Sequence, residues 1–240
     1  MKKEHTKFEL LEEDENIRVF YKPGGMHSVS LKNSELSALS EYKRLYGDNK
    51  QIDGDECGLL YRLDQKTSGL LVFAKNNDVF NSLFKGDIEK TYYATCHSSF
   101  ESLKGIYDKD CYENLKEELD NNKKLTFTSY FRNYEANSQF VRPVFEKDIV
   151  HFKDKKLSTR AYTTEIKKKS STLFECKIKK GYRHQIRSTL SSLFYPIDGD
   201  INYGSTTPTN DGNISLVCSK LDFELNGKKY KIDLEKLWFL

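Results

Sequence analysis

The stretch GLLVFA at residues 69–74 is apolar at every position, on both of the faces that a β-strand would present. A strand with one solvated face alternates apolar and polar residues, whereas an uninterrupted run of this length is typical of a strand covered on both sides. The run is also too short for a typical helix. We therefore predict that residues 69–74 form a strand with both faces covered.

Further patterns along the chain predict more strands than helices. Alternation and turn signals predict strands at residues 17–21, 91–96, 125–131, 161–166, 173–178, 214–217 and 229–232. Caps, glycine stops and helical spacing predict helices at residues 34–46, 77–85, 112–124 and 182–193, with Ser34 capping the first. Because strands and helices do not alternate regularly, the predicted fold class is α+β around a largely antiparallel sheet. The polar span 104–158 is predicted to be a peripheral insertion.

The composition limits the class of protein. Five cysteines are spread over 240 residues without a Cys-x-x-Cys pair or a Cys/His cluster at zinc spacing, so the sequence predicts neither a disulfide framework nor a structural metal. The N-terminal segment has no apolar core of signal-peptide length, and no run approaches the roughly 20 apolar residues that span a bilayer. We expect a cytoplasmic, monomeric protein with no membrane partner.

Positive charge is concentrated in one part of the chain. The formal net charge is only +3, but residues 151–190 contain twelve basic and three acidic residues. Such a block is often a solvated face of a lysine-rich sheet, and it is also the electrostatic footprint expected for a polyanion such as RNA. Charge alone leaves both interpretations open.

Asp64 stands in a polar corner, Asp-x-x-Thr-Ser-Gly, directly before the apolar strand. A corner of this form suits an Asx-type turn, in which the aspartate only shapes the backbone. Arg62, two residues earlier, favours a reactive carboxylate instead, because a turn-forming side chain gains little from a nearby guanidinium. A reactive aspartate would require partners from elsewhere in the chain.

Two other segments contain candidate partners. Tyr92, in KTYYATC, is predicted on one strand face with Ala94 and Cys96; it is either a core tyrosine or a flat aromatic surface for a planar base. Arg183 and Arg187, in GYRHQIR, are four residues apart and are predicted to share one helix face. Cations in the first turns of a helix are disfavoured by its dipole, so we expect a compensating carboxylate or phosphate.

The segments together resemble the RluA-type pseudouridine synthases, which isomerise uridine to pseudouridine in structured RNA. The resemblance rests on RLDQKTSGLLVFAK at 62–75, KTYYA at 90–94, and GYRHQIR followed by PIDGDINYG within 181–204, with weaker support from YKPGG at 21–25. These segments occur in the family's order across most of the chain.

The resemblance implies roles for individual residues. Asp64 matches the family's catalytic aspartate, Tyr92 its base-stacking tyrosine, and Arg187 the arginine that pairs with the aspartate. Arg62 matches the arginine that fills the gap left in the RNA stack. The further RNA-binding residues expected from the resemblance and from the charge are Tyr61, Arg183, His184, Lys179 and Lys180. The implied fold is a single catalytic domain over residues 1–240, with a long mixed sheet and no separate N-terminal S4-like RNA-binding module.

Several residues depart from the family's pattern. Tyr61 stands where the family usually has histidine, Tyr182 and Thr189 replace the second and last residues of the Gly-Arg-x-His-Gln-Ile-Arg-x-His motif, and 216–218 differ from the usual Leu-His-Ala. The three residues with catalytic roles are unchanged. These departures concern RNA contacts, so the sequence does not choose between ribosomal large-subunit RNA and tRNA as the substrate.

The implied reaction breaks the bond from C1′ to N1 of uridine and joins C1′ to C5, without redox change or hydrolysis. We therefore expect no cofactor and no metal. The main alternative is an RNA-binding or RNA-folding protein that has lost catalysis on the same fold. An unrelated hydrolase is less well supported, because no second carboxylate is placed near Asp64 in the motif.

Overall fold

The computed structural model describes residues 7–30, 36–101, 103–135, 139–152 and 156–237. Its strands are β1 Glu9–Glu13, β2 Ile17–Lys22, β3 Ser68–Ala74, β4 Glu89–Thr95, β5 Lys124–Tyr134, β6 Phe140–Val144, β7 Tyr162–Lys168, β8 Leu173–Ile178, β9 Leu216–Leu225 and β10 Lys228–Asp233. The α-helices are α1 Ala38–Tyr46, α2 Asn77–Lys85, α3 Lys109–Asn122, α4 Gln185–Ser192 and α5 Leu234–Leu237, and 3-10 turns cover Glu146–Phe152 and Ile201–Tyr203.

The chain forms two compact units. The first consists of Met1–Lys90 with Val217–Leu240, and the second of Thr91–Leu216. The predicted single catalytic domain over residues 1–240 stays a prediction.

The sheet of the first unit has the strand order β1-β2-β3-β9, with β10 paired to β9. Neighbouring strands are antiparallel except β3 and β9, which run parallel through Ser68 and Gly69. Every residue of β3 after Ser68 is buried. The prediction of a strand covered on both faces is confirmed, and it explains why residues 69–74 carry no polar side chain.

In the second unit β8, β7, β5 and β6 follow one another as antiparallel neighbours, and β4 lies next to β8. Helix α3 packs on this sheet through Tyr112 and Leu119, both buried. The Tyr112 ring lies 6.2 Å from that of Phe127 on β5. The span 104–158 therefore supplies strands and core side chains to this unit. Its expected origin as an insertion stays a prediction.

Several helix and strand ends lie where local sequence signals predicted them. Helix α2 and strand β8 have the predicted bounds, and Gly47 ends α1 as expected. Helix α1 is capped by Ser37, whose hydroxyl accepts the Ser40 N–H (3.1 Å) while the Ser40 hydroxyl accepts the Ser37 N–H (2.8 Å). Ser34, the expected cap, lies outside the described residues. Strands β1 and β6 were not predicted.

The α+β class with a mixed, mainly antiparallel sheet is confirmed. None of the helices in the described part of the chain combines the length and the apolar composition that crossing a bilayer requires.

Candidate active site

Asp64 lies in the first unit, in a corner that is held from both sides. The Thr67 N–H donates to the backbone carbonyl of Asp64 (3.0 Å), which closes the turn. On the other side, the Ser28 hydroxyl donates to the Leu63 carbonyl (2.8 Å) and accepts the Leu63 N–H (3.0 Å). Leu63 and Thr67 are buried, whereas Asp64 is half-buried. The corner thus fixes the backbone of Asp64 and leaves part of its side chain accessible.

Lys22 is a buried cation beside this corner that the sequence analysis did not select. Its ammonium donates to the carbonyls of Pro23 (2.9 Å), Met26 (2.7 Å) and Gln65 (3.2 Å). Burial lowers the pKa of Lys22 to about 7, and the negative charge of Asp64 acts in the opposite direction. The YKPGG segment therefore braces the corner that presents Asp64. Its presence among the resembling motifs was the only signal.

Gly69 ends the Asp-x-x-Thr-Ser-Gly corner for a steric reason. Its φ is 120°, and a Cβ atom there would lie 2.2 Å from the carbonyl oxygen of Cys218 on β9. No other residue fits so close to the neighbouring strand, because real Cβ contacts are longer.

Tyr61 and Arg62, two predicted RNA-binding residues, lie next to Asp64 in the chain but differ in exposure. The Tyr61 hydroxyl donates to the Leu70 carbonyl (2.8 Å), and the Lys90 ammonium lies 5.1 Å from its ring. The Arg62 side chain is 66% exposed and lies 3.7 Å from a Glu56 carboxylate oxygen. A surface ion pair of this length is weak, so a polyanion could replace it at little cost.

Tyr92 lies on β4 in the second unit and is buried, together with Ala94 and Cys96. Tyr93 and Thr95, on the other face, are partly exposed, and the Tyr93 hydroxyl donates to a Glu175 carboxylate oxygen (3.1 Å). The predicted alternation is therefore present at these positions.

Helix α4 differs from the prediction at its start. It begins at Gln185 rather than near Tyr182, because His184 adopts a left-handed backbone with φ of 55°. Arg183 consequently precedes the helix, and the prediction that Arg183 and Arg187 share one helix face is wrong. Gln185 organises this start: its amide oxygen accepts the Tyr182 N–H (2.9 Å), and its amide nitrogen donates to the Thr164 hydroxyl (2.9 Å).

Arg187, in the first turn of α4, forms a buried bidentate ion pair with Asp200. Its Nε and Nη2 donate to the two carboxylate oxygens at 2.7 and 2.9 Å. The two side chains are only 5% and 1% exposed. The carboxylate expected to compensate a cation at this helix start is therefore Asp200, which the sequence analysis did not select. Two parallel hydrogen bonds fix both the position and the plane of the guanidinium.

Tyr203 lies beside Arg187, with its ring centroid 4.9 Å from the guanidinium carbon. Its hydroxyl accepts the Val141 N–H (3.1 Å) and lies 2.9 Å from His184 Nδ1. Burial raises the pKa of Tyr203 to about 12, so the hydroxyl keeps its proton at neutral pH. The PIDGDINYG segment thus supplies two partners, Asp200 and Tyr203, to the helix that carries Arg187.

The remaining predicted RNA-binding residues differ in accessibility. Arg183 and Lys179 are exposed, Lys180 and His184 are partly exposed, and one Arg183 nitrogen lies 3.4 Å from the Asn133 amide oxygen. Elsewhere in the basic block, carboxylates neutralise some of the charge. Lys168 pairs with Asp120, and Lys169 lies 3.8 Å from Glu175. The formal charge of the block is therefore partly neutralised within the protein.

Asp64 belongs to the first unit, whereas Tyr92 and Arg187 belong to the second. Their assembly into one catalytic site, and the pairing of Asp64 with Arg187, stay predictions. Within its own unit, each charged group is held in a way that suits chemistry: the aspartate on a braced corner and the guanidinium in a rigid, oriented pair.

Comparison with known proteins agrees with the expected family. The family model described as RNA pseudouridylate synthase matches residues 16–192, which include Asp64, Tyr92 and Arg187. The chain belongs to this family. The resemblance to RluA-type enzymes is confirmed.

The relatives of this chain include proteins from bacteria and from yeast. An uncharacterized RNA pseudouridine synthase of Bacillus subtilis is 26% identical over 84% of this chain and 59% of its own length. The ribosomal large subunit pseudouridine synthase C of Buchnera aphidicola is 29% identical over 81% of this chain and 53% of its own length. The tRNA pseudouridine(31) synthase of Saccharomyces cerevisiae is 30% identical over 82% of this chain and 46% of its own length. The chain thus spans about half the length of these relatives.

Two solved human structures share the fold. RNA Pseudouridylate Synthase Domain Containing 1 has a TM-score of 0.61 at 14% identity, over 95% of this chain and 83% of that chain. RNA Pseudouridylate Synthase Domain Containing 4 has a TM-score of 0.57 at 17% identity, over 93% of this chain and 87% of that chain. At these identities the likeness concerns the fold alone.

Proposed function

We propose that this chain is an RNA pseudouridine synthase that isomerises a uridine of structured RNA. The observation that carries the proposal is the family match over residues 16–192, which includes an aspartate, a tyrosine and an arginine at the matching motif positions. The braced corner at Asp64 and the rigid pair at Arg187 support it, because the first fixes the backbone that carries the carboxylate and the second fixes the plane of the guanidinium.

Asp64 starts the reaction in this proposal. Its carboxylate either attacks C1′ while N1 leaves, or removes the 2′ proton to give a glycal. The released uracil rotates and C5 bonds to C1′; in the first route this displaces the Asp64 carboxylate from C1′, and in the second the 2′ proton returns to C2′. C5 then loses its proton and N1 takes up a proton. The product is therefore an isomer of the substrate, and neither water nor an oxidant is consumed.

Arg187 and Tyr92 have separate tasks. A guanidinium within about 4–6 Å of a carboxylate favours its charged form, so Arg187, paired with Asp64 as the family's pattern implies, would favour the reactive carboxylate. Its second anionic partner, Asp200, would hold the plane of the guanidinium during this step. Tyr92 would stack on the extruded uracil, and base stacking on an aromatic ring is worth about 1–3 kcal/mol.

The RNA substrate must be distorted before the chemistry, because a stacked uridine is out of reach. Arg62, exposed and only weakly paired, would enter the gap left in the stack. Tyr61, Arg183, His184, Lys179 and Lys180 would contact the surrounding RNA. Relatives are named for tRNA and for the ribosomal large subunit, and we propose one of these two classes as the substrate of a cytoplasmic, monomeric enzyme.

The decisive test is Asp64→Asn, assayed by release of tritium from RNA labelled at C5 of uridine. We expect turnover to be abolished, whereas RNA affinity and the unfolding midpoint change little. Asp55→Asn, an exposed carboxylate in the same unit, is the matched control and should retain activity. Wild-type turnover in Asp64→Asn would refute the assignment.

The alternative is an RNA-binding protein without catalysis, and it predicts that even the wild-type protein has no turnover. It would bind tRNA or large-subunit RNA transcripts and release no tritium from any of them. Mapping pseudouridines in total RNA from cells with and without the gene would decide this question and identify the substrate uridine.

A further inference from the structure

Two arginines of the second unit, Arg132 and Arg142, lie directly opposite each other on β5 and β6. Both are buried, with exposed fractions of 7% and 3%. Burial lowers the pKa of each guanidinium, and the charge of Arg132 lowers that of Arg142 further. Two like charges have therefore been placed side by side out of water, which is costly unless an anion compensates them.

No carboxylate within the described part of the chain lies within 4.0 Å of either guanidinium, and that of Glu135 acts on Arg142 only from a greater distance. The rings of Tyr134 and Phe152 lie 5.3 and 4.5 Å from Arg132, and the Tyr134 ring lies 4.1 Å from Arg142. Cation–π contacts of this kind stabilise a guanidinium without neutralising it. In addition, Nε of Arg132 is buried and has no hydrogen-bond partner among the described residues.

The groups that do accept from the two arginines are backbone carbonyls. Arg142 Nε donates to the Lys104 carbonyl (2.5 Å), and Arg132 Nη2 donates to the Gly105 carbonyl. Residues 104–106, here called the strap, lie at the surface, with Lys104 and Gly105 exposed. The two carbonyl oxygens of the strap thus occupy donor positions on both guanidiniums that the oxygens of an anion could otherwise take.

The strap rests on the protein through a close contact rather than an anchoring side chain. Gly105 has φ of 82°, and a Cβ atom there would lie 2.2 Å from the Tyr134 ring. The contact and the positive φ favour glycine, and none of the three strap residues is fully buried. Displacing the strap therefore costs mainly its two carbonyl hydrogen bonds, which an anion would replace with charge-assisted ones.

We propose that Arg132 and Arg142 form a binding site for a phosphodiester group of RNA, which the strap covers in the unliganded protein. The site adjoins the helix of the candidate active site, because the Arg142 guanidinium lies 5.5 Å from the same Tyr203 ring that Arg187 contacts. The proposal rests on the proposed function only in naming RNA as the polyanion, and it does not require turnover.

The opposing explanation is a purely structural pair, which fastens the strap to the sheet. The two explanations predict opposite effects of loosening the strap. If the strap competes with phosphate, Gly105→Ala should tighten RNA binding, because the added Cβ displaces the strap from the guanidiniums. If the pair is only structural, the same change should lower stability and leave RNA affinity equal or weaker.

The test measures binding of a fluorescent RNA hairpin without uridine, so that its result is independent of pseudouridine formation. We expect Gly105→Ala to bind about tenfold more tightly, which is the size expected for hydrogen bonds to a charged group. Gly227→Ala is the matched control, because its φ of 77° brings the same backbone strain into open space; its affinity should equal that of the wild-type protein.

Arg142→Gln completes the test. It should weaken hairpin binding, reduce the slope of log affinity against log salt by about one, and abolish the gain from Gly105→Ala in the double variant. An unchanged salt slope in folded Arg142→Gln would overturn the proposal. If Arg142→Gln does not fold, unchanged or weaker binding by Gly105→Ala overturns it alone. A gain for inorganic phosphate at matched ionic strength, without a gain for the hairpin, would also contradict an RNA site.

Discussion

Replacing Asp200 by asparagine tests how strongly the fold depends on the buried pair with Arg187. The substitution keeps the size of the side chain but removes its charge and leaves only one oxygen to accept from the guanidinium. Both wild-type hydrogen bonds are short, at 2.7 and 2.9 Å, and neither side chain is more than 5% exposed. Water therefore cannot take over the solvation of Arg187 without opening the structure.

The expected loss follows from these contacts. Hydrogen bonds to charged groups contribute about 1.5–3 kcal/mol each, and removing one partner of a buried ion pair costs about 3–5 kcal/mol. We expect Asp200→Asn to lower the free energy of unfolding by about 3–5 kcal/mol. Since the urea slope increases with chain length, a value of about 3 kcal/mol per molar is expected for 240 residues, and the midpoint should fall by roughly 1–2 M.

Urea unfolding followed by circular dichroism measures this change, with Asp211→Asn as the matched control. Asp211 lies in the same unit but is exposed, and its carboxylate accepts hydrogen bonds from Asn213 only two residues away. The control should stay within about 0.5 kcal/mol of the wild-type protein. A loss below about 1 kcal/mol in Asp200→Asn would show that Arg187 is solvated or compensated in another way.

The same variant also tests positioning. If Asp200 orients the guanidinium for catalysis, kcat of pseudouridine formation should fall more than KM rises. Both constants are measured without urea, at a temperature at which the variant is folded. A folded Asp200→Asn enzyme with wild-type kcat would refute this role of the pair, and Arg187→Lys, which loses the planar fork, should then be equally harmless.

Two further predictions concern the first unit. The lowered pKa of Lys22 means that the cost of its buried charge is present below pH 7 and is relieved as pH rises towards the usual value of 10.5. Wild-type stability should therefore rise relative to Lys22→Met by up to about 1.4 kcal/mol per pH unit between pH 7 and 9; parallel urea-midpoint profiles would contradict this. Gly69→Ala should cost more than about 2 kcal/mol, because its Cβ meets the β9 backbone, whereas Gly227→Ala, compared by the same urea unfolding, should cost less. Equal losses would show that β3 and β9 can separate locally.

The elements that the sequence predicted well are those with a local physical cause. Helix α2 lies between the cap Asn76 and the stop Gly86, and both signals act within a few residues of the helix end. Strand β3 was predictable because burial on both faces removes polar residues from the run. The edge strand β6 was missed, since Phe140–Val144 contains an arginine and a proline and its pairing partner β5 is needed to define it.

The start of α4 shows why the site was harder to predict than the elements. Helical spacing alone placed Arg183 and Arg187 on one face, but a left-handed residue at His184 separates them. What stabilises that conformation is tertiary: His184 Nδ1 meets the Tyr203 hydroxyl, and Gln185 bonds to Thr164 on β7. Contacts between residues about twenty positions apart cannot be predicted from local spacing.

Four of the five segments that carried the family resemblance form two structural clusters. The YKPGG and RLDQKTSG segments are one cluster, because the Lys22 ammonium and the Gly25 N–H both donate to the Gln65 carbonyl. The GYRHQIR and PIDGDINYG segments are the other, joined by Arg187 with Asp200 and by His184 with Tyr203.

Each cluster couples a candidate catalytic charge to an opposite charge in the neighbouring motif: Asp64 acts on buried Lys22, and Arg187 is held by Asp200. The partner motifs thus have a structural role that is separate from RNA contact. It follows that substitutions in them should impair catalysis through the orientation or charge of Asp64 and Arg187, and should leave the salt dependence of RNA binding unchanged. Substitutions at the exposed residues Arg62, Arg183 and Lys179 should instead weaken RNA binding and lower its salt dependence.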